Sequence, residues 1–172
     1  MTRKDVKPEE HHLYYRRYID KLSINSGLIE CFTVGLEEVV QFFQAIPEKR
    51  LLHSYEQGKW TIKEVLQHLI DSERSFMHRC FRMARRDITS LAGFNQEIYI
   101  PTSRENKKSI NQLLVEYSTN RENSISLLKS LSRDDLKFIG HANGGPMSAR
   151  AAAFVVPGHD IWHMEIIKER YL

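Results

Sequence analysis

Apolar residues recur every three or four positions along four long segments of this chain, the spacing that places them on one face of an α-helix. The segments run from about residue 28 to 46, from Thr61 to about 86, from Ser109 onward, and from Ser148 to the last residues. Thr61 and Ser109 each precede a Glu or Gln by three positions, so both are predicted to cap a helix N-terminus. The pattern predicts an all-α four-helix bundle without strands.

The segments that connect these helices differ in their chemistry. Residues 1–22 are polar apart from a tyrosine cluster, and we expect them to wrap the body as an extended arm. Residues 87–108 form a long link containing FNQEIYIP, whose aromatic and branched residues favour order. Its length allows a crossover connection. Pro157 and Gly158 are predicted to kink the last helix, and Gly35 to mark the close approach of another backbone.

Composition narrows the class of protein. The 172 residues, 41% of them hydrophobic, predict a single domain over residues 1–172. A net charge of +3 is too small to indicate a nucleic-acid partner. The basic run 78–86 is expected to stay solvated at a helix end. Cys31 and Cys80 lack metal-ligand spacing and are expected to be inert thiols in the core or at its boundary. No apolar leader or membrane-length run is seen, which predicts a cytoplasmic protein without membrane contact.

Three histidines are the strongest candidates for chemistry. His159 and His163 lie one helical turn apart in GHDIWHMEII and share an apolar face. Two buried imidazoles on consecutive turns of one apolar face have few separate hydrogen-bond partners available for their ring nitrogens. This favours a shared metal over hydrogen-bonded core histidines. His68, at the edge of the second helix's apolar stripe, would make a third ligand and leave open coordination positions, as in catalytic sites. Asp71 is a candidate to orient an imidazole or accept a proton; the alternative is a solvated carboxylate.

Two charged residues lie within apolar stripes. Glu73 falls about three turns after Ile62 in the second helix, and Arg121 lies equally far after Ile110 in the third. Because isolated buried charges are very unfavourable, we predict a structural ion pair between Glu73 and Arg121. The functional alternatives are a general base at Glu73 and an anion clamp at Arg121.

The remaining aromatic and histidine residues are assigned to packing or to the surface. Trp60 is expected to pack at the start of the second helix, and Trp162 to face away from His163. No GxSxG, P-loop or GxGxxG motif is present. The other five histidines are expected at the surface or in loops: His11, His12, His53, His78 and His141.

Three stretches, KWTIKEVLQHLIDSER, FNQEIYI and GHDIWHMEII, resemble the DinB/YfiT-like superfamily over about residues 10–172. The resemblance implies a four-helix bundle of non-simple topology, often dimeric, with metal ligands at His68, His159 and His163. In the loop motif, Asn95 stands where the family more often has an acid. We expect Asn95 and Tyr99 to cover the site and contact substrate.

These observations favour a metal-dependent enzyme that holds one divalent ion per chain and acts on a small molecule. Three imidazoles suit zinc, nickel, iron or copper. The reaction is either hydrolysis or S-transfer with a low-molecular-weight thiol, since relatives include thiol-dependent transferases and isomerases. The alternatives are a non-catalytic metal-binding module and a helical interaction domain whose histidines are core residues. A homodimer is implied by the resemblance alone.

Overall fold

Seven helices and one hairpin make up the computed structural model, which describes residues 1–172. The helices are α1 (Arg16–Ile19), α2 (Leu28–Gln44), α3 (Ile62–Ala84), α4 (Ile100–Ser103), α5 (Ile110–Ser130), α6 (Arg133–Lys137) and α7 (Ala149–Arg170). The predicted caps Thr61 and Ser109 are in place, and Ser148 caps the last helix: each accepts a hydrogen bond from a backbone N–H in the first turn, at 3.2, 3.2 and 3.0 Å. The four long helices form the predicted bundle, and the fold class is confirmed.

The order of the helices around the bundle is not the order along the chain. Both α2 and α3 pack against α5 and α7, so these two consecutive helices lie at opposite corners. Gln67 of α3 contacts Lys108, just before α5, and the later residue Glu73 of α3 contacts the later residue Arg121 of α5. Because residue numbers increase in the same direction along both helices, α3 and α5 run parallel. Tyr171, at the end of α7, contacts Trp60, just before α3, whereas the earlier residue His159 of α7 contacts the later residue His68 of α3. Helix α7 is therefore antiparallel to α3.

The link 87–108 is the crossover that allows parallel α3 and α5 to be neighbours. It is ordered by short helical turns at Gln96–Ile98 and Glu105–Lys107 and by α4 between them. Lys63 Nζ donates to the carbonyl of Asn106 at 3.1 Å, which fastens the end of the link to the start of α3. The expected long connection is therefore structured rather than a free loop.

A β-hairpin precedes the last helix, and the expectation of a chain without strands was wrong on this point. Strands β1 (Ile139–Ala142) and β2 (Gly145–Ser148) pair antiparallel with Ile139 opposite Ser148. Asn143 and Gly144 turn the chain with φ values of 53° and 78°. Positive φ at both positions matches the right-handed twist of the strands, and Asn-Gly is the pair that adopts it most readily.

The N-terminal arm is compact rather than extended. It folds into 3₁₀ turns at Arg3–Asp5, Pro8–Glu10 and Leu13–Tyr15, followed by α1, which packs on α7. A Cβ on Gly158 would lie 2.1 Å from the carbonyl oxygen of Tyr18, so only glycine permits this approach. The close backbone contact is thus at Gly158. Gly35 instead faces the Arg121 side chain, whose Nη1 would lie 3.3 Å from a Cβ.

Buried polar residues form a layer across the middle of the bundle. One apolar cluster fills the end that contains α1 and the hairpin, and a second fills the end around Leu51 and Leu66. Between them lie buried Glu73, Arg121 and Asp160 with three histidines. Both cysteines are buried in or beside the first cluster, and burial raises the pKa of the Cys80 thiol to about 12. None of the helices combines the length and apolar character needed to cross a lipid bilayer.

Candidate metal centre

Three imidazole nitrogens converge where α3 faces α7. His68 Nε2 lies 3.1 Å from His159 Nε2, and His163 Nε2 lies 3.0 Å from the same atom. The antiparallel packing of the two helices brings His68 opposite the His159–His163 turn, and the i,i+4 spacing points the latter two rings the same way. All three side chains are buried. The structure therefore brings together the three histidines that the sequence singled out.

The environment keeps these rings neutral. Burial lowers the pKa of His68 to about 4. Burial, with added repulsion from the neighbouring imidazoles, holds the pKa of His159 and His163 well below the usual 6.5. Neutral imidazole is the form that binds a metal, since the ligand nitrogen must carry a free electron pair.

The donor set fits one small divalent cation. A neutral imidazole nitrogen either donates or accepts, so three facing Nε2 atoms cannot all satisfy one another by hydrogen bonding. Nitrogen ligands lie about 2.0–2.1 Å from zinc, so two of them lie about 3.0 Å apart at a right angle and about 3.3–3.4 Å apart at the tetrahedral angle. The spacings of 3.0 and 3.1 Å lie at the short end of this range.

Aromatic rings and one hydroxyl surround the triad. Ser72 Oγ lies 3.3 Å from Nδ1 of His68 and 3.5 Å from its Nε2, so the hydroxyl borders both ring nitrogens. Tyr18 meets His159 edge-on with ring centroids 5.0 Å apart, and Trp60 packs on His68 at 4.8 Å. Trp162 contacts His163 edge-on at 4.9 Å, so the expectation that it faces away was wrong. These rings hold the imidazoles in place and exclude water from their sides.

A buried ion network lies directly beside the triad. Arg121 Nε donates to Glu73 Oε1 at 2.9 Å, and its Nη2 donates to Asp160 Oδ2 at 2.6 Å. Tyr117 Oη also donates to Asp160, at 3.0 Å. Burial raises the pKa of Asp160 to about 6, against the opposing effect of Arg121. Glu73 and Arg121 are in direct contact, with Asp160 as an additional partner that the sequence pattern did not reveal.

Two cavities adjoin the triad and share a wall. The Arg79 cavity, about 300 Å³, is lined by Tyr14, Tyr15, Tyr18, Ser72, Phe76, Arg79, Phe94, Asn95, Gln96, Glu97, Asn143 and His159. The Trp60 cavity, about 280 Å³, contains all three histidines and is walled by aromatic residues that include Tyr55, Trp162 and Tyr171. Tyr14, Tyr18, Gln96, Glu97 and His159 line both. The histidines thus face a cleft with two arms.

The remaining predicted site residues are distributed around this cleft. Asn95 lines the Arg79 cavity and its Oδ1 accepts from the Glu97 backbone N–H at 3.0 Å. Tyr99 stacks on Phe94 and lines a separate groove beside Asp71. Asp71 accepts from Gln67 and Arg74, at 3.2 and 3.1 Å, and Ser72 rather than Asp71 is the hydrogen-bonding neighbour of His68.

Two expectations about surface residues were wrong. Arg79, within the basic run expected to be solvated, is only 3% exposed and lines the Arg79 cavity. His11 is buried where the arm pairs with β2 at Met147. The aromatic stretch around Tyr14 and Tyr18 could have indicated that the arm belongs to the site, but their contacts are with residues far away in sequence.

Comparisons with known proteins identify the same fold. The family model described as the DinB superfamily matches residues 32–167. Among solved structures, YfiT from Bacillus subtilis superposes with a TM-score of 0.74 at 17% identity, covering 95% of this chain and 90% of that chain. YfiT is described as a probable metal-dependent hydrolase with an unusual four-helix bundle topology. No curated protein matches this chain in sequence. At this identity the structural likeness shows the fold alone.

Proposed function

We propose, from the premise that this chain belongs to the DinB superfamily, that it is a metal-dependent enzyme acting on a small molecule, with hydrolysis as its reaction. His68, His159 and His163 hold one divalent ion. The observation that carries the proposal is the convergence of three neutral imidazole nitrogens on a cleft with two arms: Nε2 of His159 lies 3.1 Å from that of His68 and 3.0 Å from that of His163, and all three ligand atoms lie within 4.8 Å of one another. Three protein ligands leave coordination positions open toward that cleft, as catalytic sites require.

The chemistry divides between the ion and the protein. A divalent ion in this position supplies Lewis acidity, which activates water or a thiol and polarises a substrate oxygen. Ser72 and the rings of Tyr18, Trp60 and Trp162 fix the orientation of the imidazoles. Substrate binds where the two cavities meet.

Glu97 is the proposed proton acceptor of the reaction. It is the carboxylate that lines both cavities beside His159, whereas Asp71 lines the separate groove with Tyr99. Glu97 is exposed, so its carboxylate can exchange protons with solvent. Asn95 caps the turn that carries Glu97 and therefore positions it. In this proposal residues 94–97 cover the site and contact substrate, and Tyr99 packs against Phe94.

A second candidate is S-transfer from a low-molecular-weight thiol to an electrophile. The observation that favours it is the two-armed cleft, because the Arg79 and Trp60 cavities meet at His159 and can hold two reactants at once. The YfiT description favours hydrolysis for that protein, and the shared fold makes hydrolysis the first choice here.

Metal content is the first test of this proposal. Elemental mass spectrometry on untagged protein is expected to find about one divalent ion per chain, and a His159→Ala/His163→Ala variant is expected to lose it. The absence of metal from both proteins, even after reconstitution with zinc, nickel or iron, would leave a helical interaction domain with core histidines. Metal binding without turnover would leave a metal-stabilised module.

Turnover separates the two reactions. The reconstituted protein is assayed on panels of esters, amides and phosphoesters, and separately for conjugation of electrophiles in the presence of small thiols. On any substrate found, Glu97→Gln is expected to lower kcat by about 10²-fold or more with metal content unchanged. Glu122→Gln, a substitution of a surface acid on α5, serves as the matched control.

A further inference from the structure

Arg79 is a buried cation without a carboxylate partner. Its side chain extends from α3 into the Arg79 cavity, and the residue is 3% exposed. Nη1 donates to the hydroxyl of Tyr15 at 3.4 Å and Nη2 donates to the carbonyl of Ala92 at 3.2 Å, and both of these partners are neutral. No Asp or Glu oxygen lies within salt-bridge distance of this guanidinium, although eleven other ion pairs form across the chain.

The other arginines with little exposure are paired. Arg121 binds Glu73 and Asp160, and Arg150 binds Glu10. A buried guanidinium is unfavourable unless an opposite charge compensates it, and this chain follows that rule elsewhere. Arg79 is the exception, and it is the one of the three that lines a cavity together with His159 of the triad. A missing counter-charge at such a position indicates that a ligand supplies it.

Hydrogen-bond donors accumulate around the same cavity. Tyr15 accepts from both Arg79 and Asn143, the latter at 3.3 Å, so its own hydroxyl hydrogen is left without an acceptor. The rings of Phe76 and Phe94 lie 5.2 and 5.3 Å from the guanidinium carbon and hold the group in place. A guanidinium fork and a phenol hydrogen beside one space form a recognition site for a planar or tetrahedral oxyanion.

We propose that the Arg79 cavity binds the oxyanion group, a carboxylate or a phosphate monoester, of an extended small-molecule substrate whose reacting group lies at the histidine triad. The second half of this inference rests on the proposed function. His68, Ser72, Phe76 and Arg79 follow one another along α3, and the Cα atoms of His68 and Arg79 are separated by roughly 16 Å at a rise of 1.5 Å per residue. Because helical side chains lean toward the N-terminus, the arginine reaches back toward the triad. The substrate therefore has its anionic end several bonds from the reacting group.

The geometry offers one competing explanation, in which Glu97 folds down onto Arg79 and neutralises it. Glu97 lines the same cavity but is exposed and makes no salt bridge. A Glu97→Gln variant separates the two explanations. Loss of an internal counter-ion would tighten anion binding by well over tenfold, whereas loss of a repulsive charge at the exposed edge of the cavity would tighten it by no more than about fivefold.

The oxyanion site is tested first without any metal. Wild-type protein freed of metal by dialysis against a chelator is titrated calorimetrically with benzoate, phenyl phosphate and benzamide. Saturable binding of either anion, no binding of benzamide, and loss of at least about tenfold in anion affinity on Arg79→Gln are expected. The tighter of the two anions identifies the oxyanion. Arg79→Lys retains part of the affinity, and Arg85→Gln, which removes an exposed cation just after the same helix, leaves it unchanged. Equal binding of anions and amide, or anion binding that survives Arg79→Gln, overturns the inference.

The link to the triad is tested with metal present. Zinc-reconstituted protein is titrated with alkyl hydroxamates that end in a methyl group and with chain-matched hydroxamates that end in a carboxylate. At one chain length the carboxylate ligand is expected to bind about tenfold tighter, and Arg79→Gln is expected to abolish only that difference. Equal affinity at every chain length overturns the bridging substrate. Failure of the methyl-terminated ligands to bind counts against the metal site itself, and the metal-free titration then decides on the oxyanion site alone.

Discussion

Arg121 Nη2 donates a 2.6 Å hydrogen bond to Asp160 Oδ2, one residue after the triad member His159. The same guanidinium binds Glu73 on α3 through Nε, so a single side chain of α5 joins both helices that carry the histidines. The relative position of α3 and α7 sets where the imidazole nitrogens meet. This buried network therefore acts on the triad through the positions of its helices, without contacting it.

Replacing Arg121 is expected to be strongly destabilising. Arg121→Met leaves Glu73 and Asp160 buried without a cation, and breaking a buried pair in this way costs about 3–5 kcal/mol of the free energy of unfolding. Chemical denaturation measures the loss. Arg74→Met, on the surface between Asp71 and Glu116, is the matched control and is expected to cost no more than about 1 kcal/mol. Similar losses in the two variants would contradict a structural role for the network.

The sequence was informative wherever a helix has a single buried face. The four long helices, their caps and the contact between Glu73 and Arg121 follow from positions within the stripes of α3 and α5. Asp160 did not follow, because every residue of α7 from Ala151 to Asp160 is buried and periodicity cannot distinguish its faces. Neighbours on such a helix depend on tertiary packing alone.

Contacts between distant segments account for the other differences. Tyr18 and Trp162 were not assigned to the site, since the arm reaches α7 through a backbone approach at Gly158 that no local pattern records. The hairpin was missed even though Asn143-Gly144 is a strong turn signal. Its strands have only four residues each and are supported by bridges to the arm and to Leu91.

Ser72 is expected to tune metal affinity. Its hydroxyl lies 3.3 Å from Nδ1 of His68 and orients that imidazole. Loss of such an outer partner typically weakens metal binding by about 10- to 100-fold. Competition with a chromophoric chelator should therefore show at least about tenfold weaker zinc binding by Ser72→Ala. Ser75 lies about one turn after Ser72 in α3, and its hydroxyl donates to the Asp71 carbonyl rather than to a histidine. Ser75→Ala should therefore bind zinc like the wild type. Equal affinity in all three proteins would remove Ser72 from the site.

Gly158→Ala tests the contact between α1 and α7. The added Cβ would lie 2.1 Å from the Tyr18 carbonyl oxygen and 2.6 Å from its carbonyl carbon, so the backbone must shift. Such overpacking costs about 1–3 kcal/mol and is expected to displace the Tyr18 ring from His159. Thermal unfolding and zinc affinity are measured together. In Gly27→Ala the new Cβ meets only the movable Glu30 side chain, and a loss below about 1 kcal/mol is expected. A wild-type melting temperature for Gly158→Ala would refute the close approach.

Glu10 fastens the arm to the start of α7 and is expected to make the fold sensitive to acid. Its carboxylate accepts from Ser148 Oγ and from Arg150 Nε, each at 2.7 Å. Burial alone would raise the pKa of Glu10, but the hydrogen bonds from Arg150, Ser148 and the Lys7 backbone outweigh it and hold the pKa below the usual 4.5. The folded state therefore binds this proton less readily than the unfolded state does.

The sign of the pH dependence follows from that difference. The stabilisation by Glu10 is fully present above about pH 4.5, the ordinary value, and is lost as the pH falls through the lower pKa of the folded protein. Glu10→Gln is expected to lose about 1–3 kcal/mol at neutral pH and to show a shallower fall in stability below pH 4.5. Urea denaturation across this pH range measures both effects. Glu9→Gln, the exposed neighbour, controls for net charge and should follow the wild-type curve. A Glu10→Gln curve parallel to the wild type would show that the carboxylate is not ion-paired in solution.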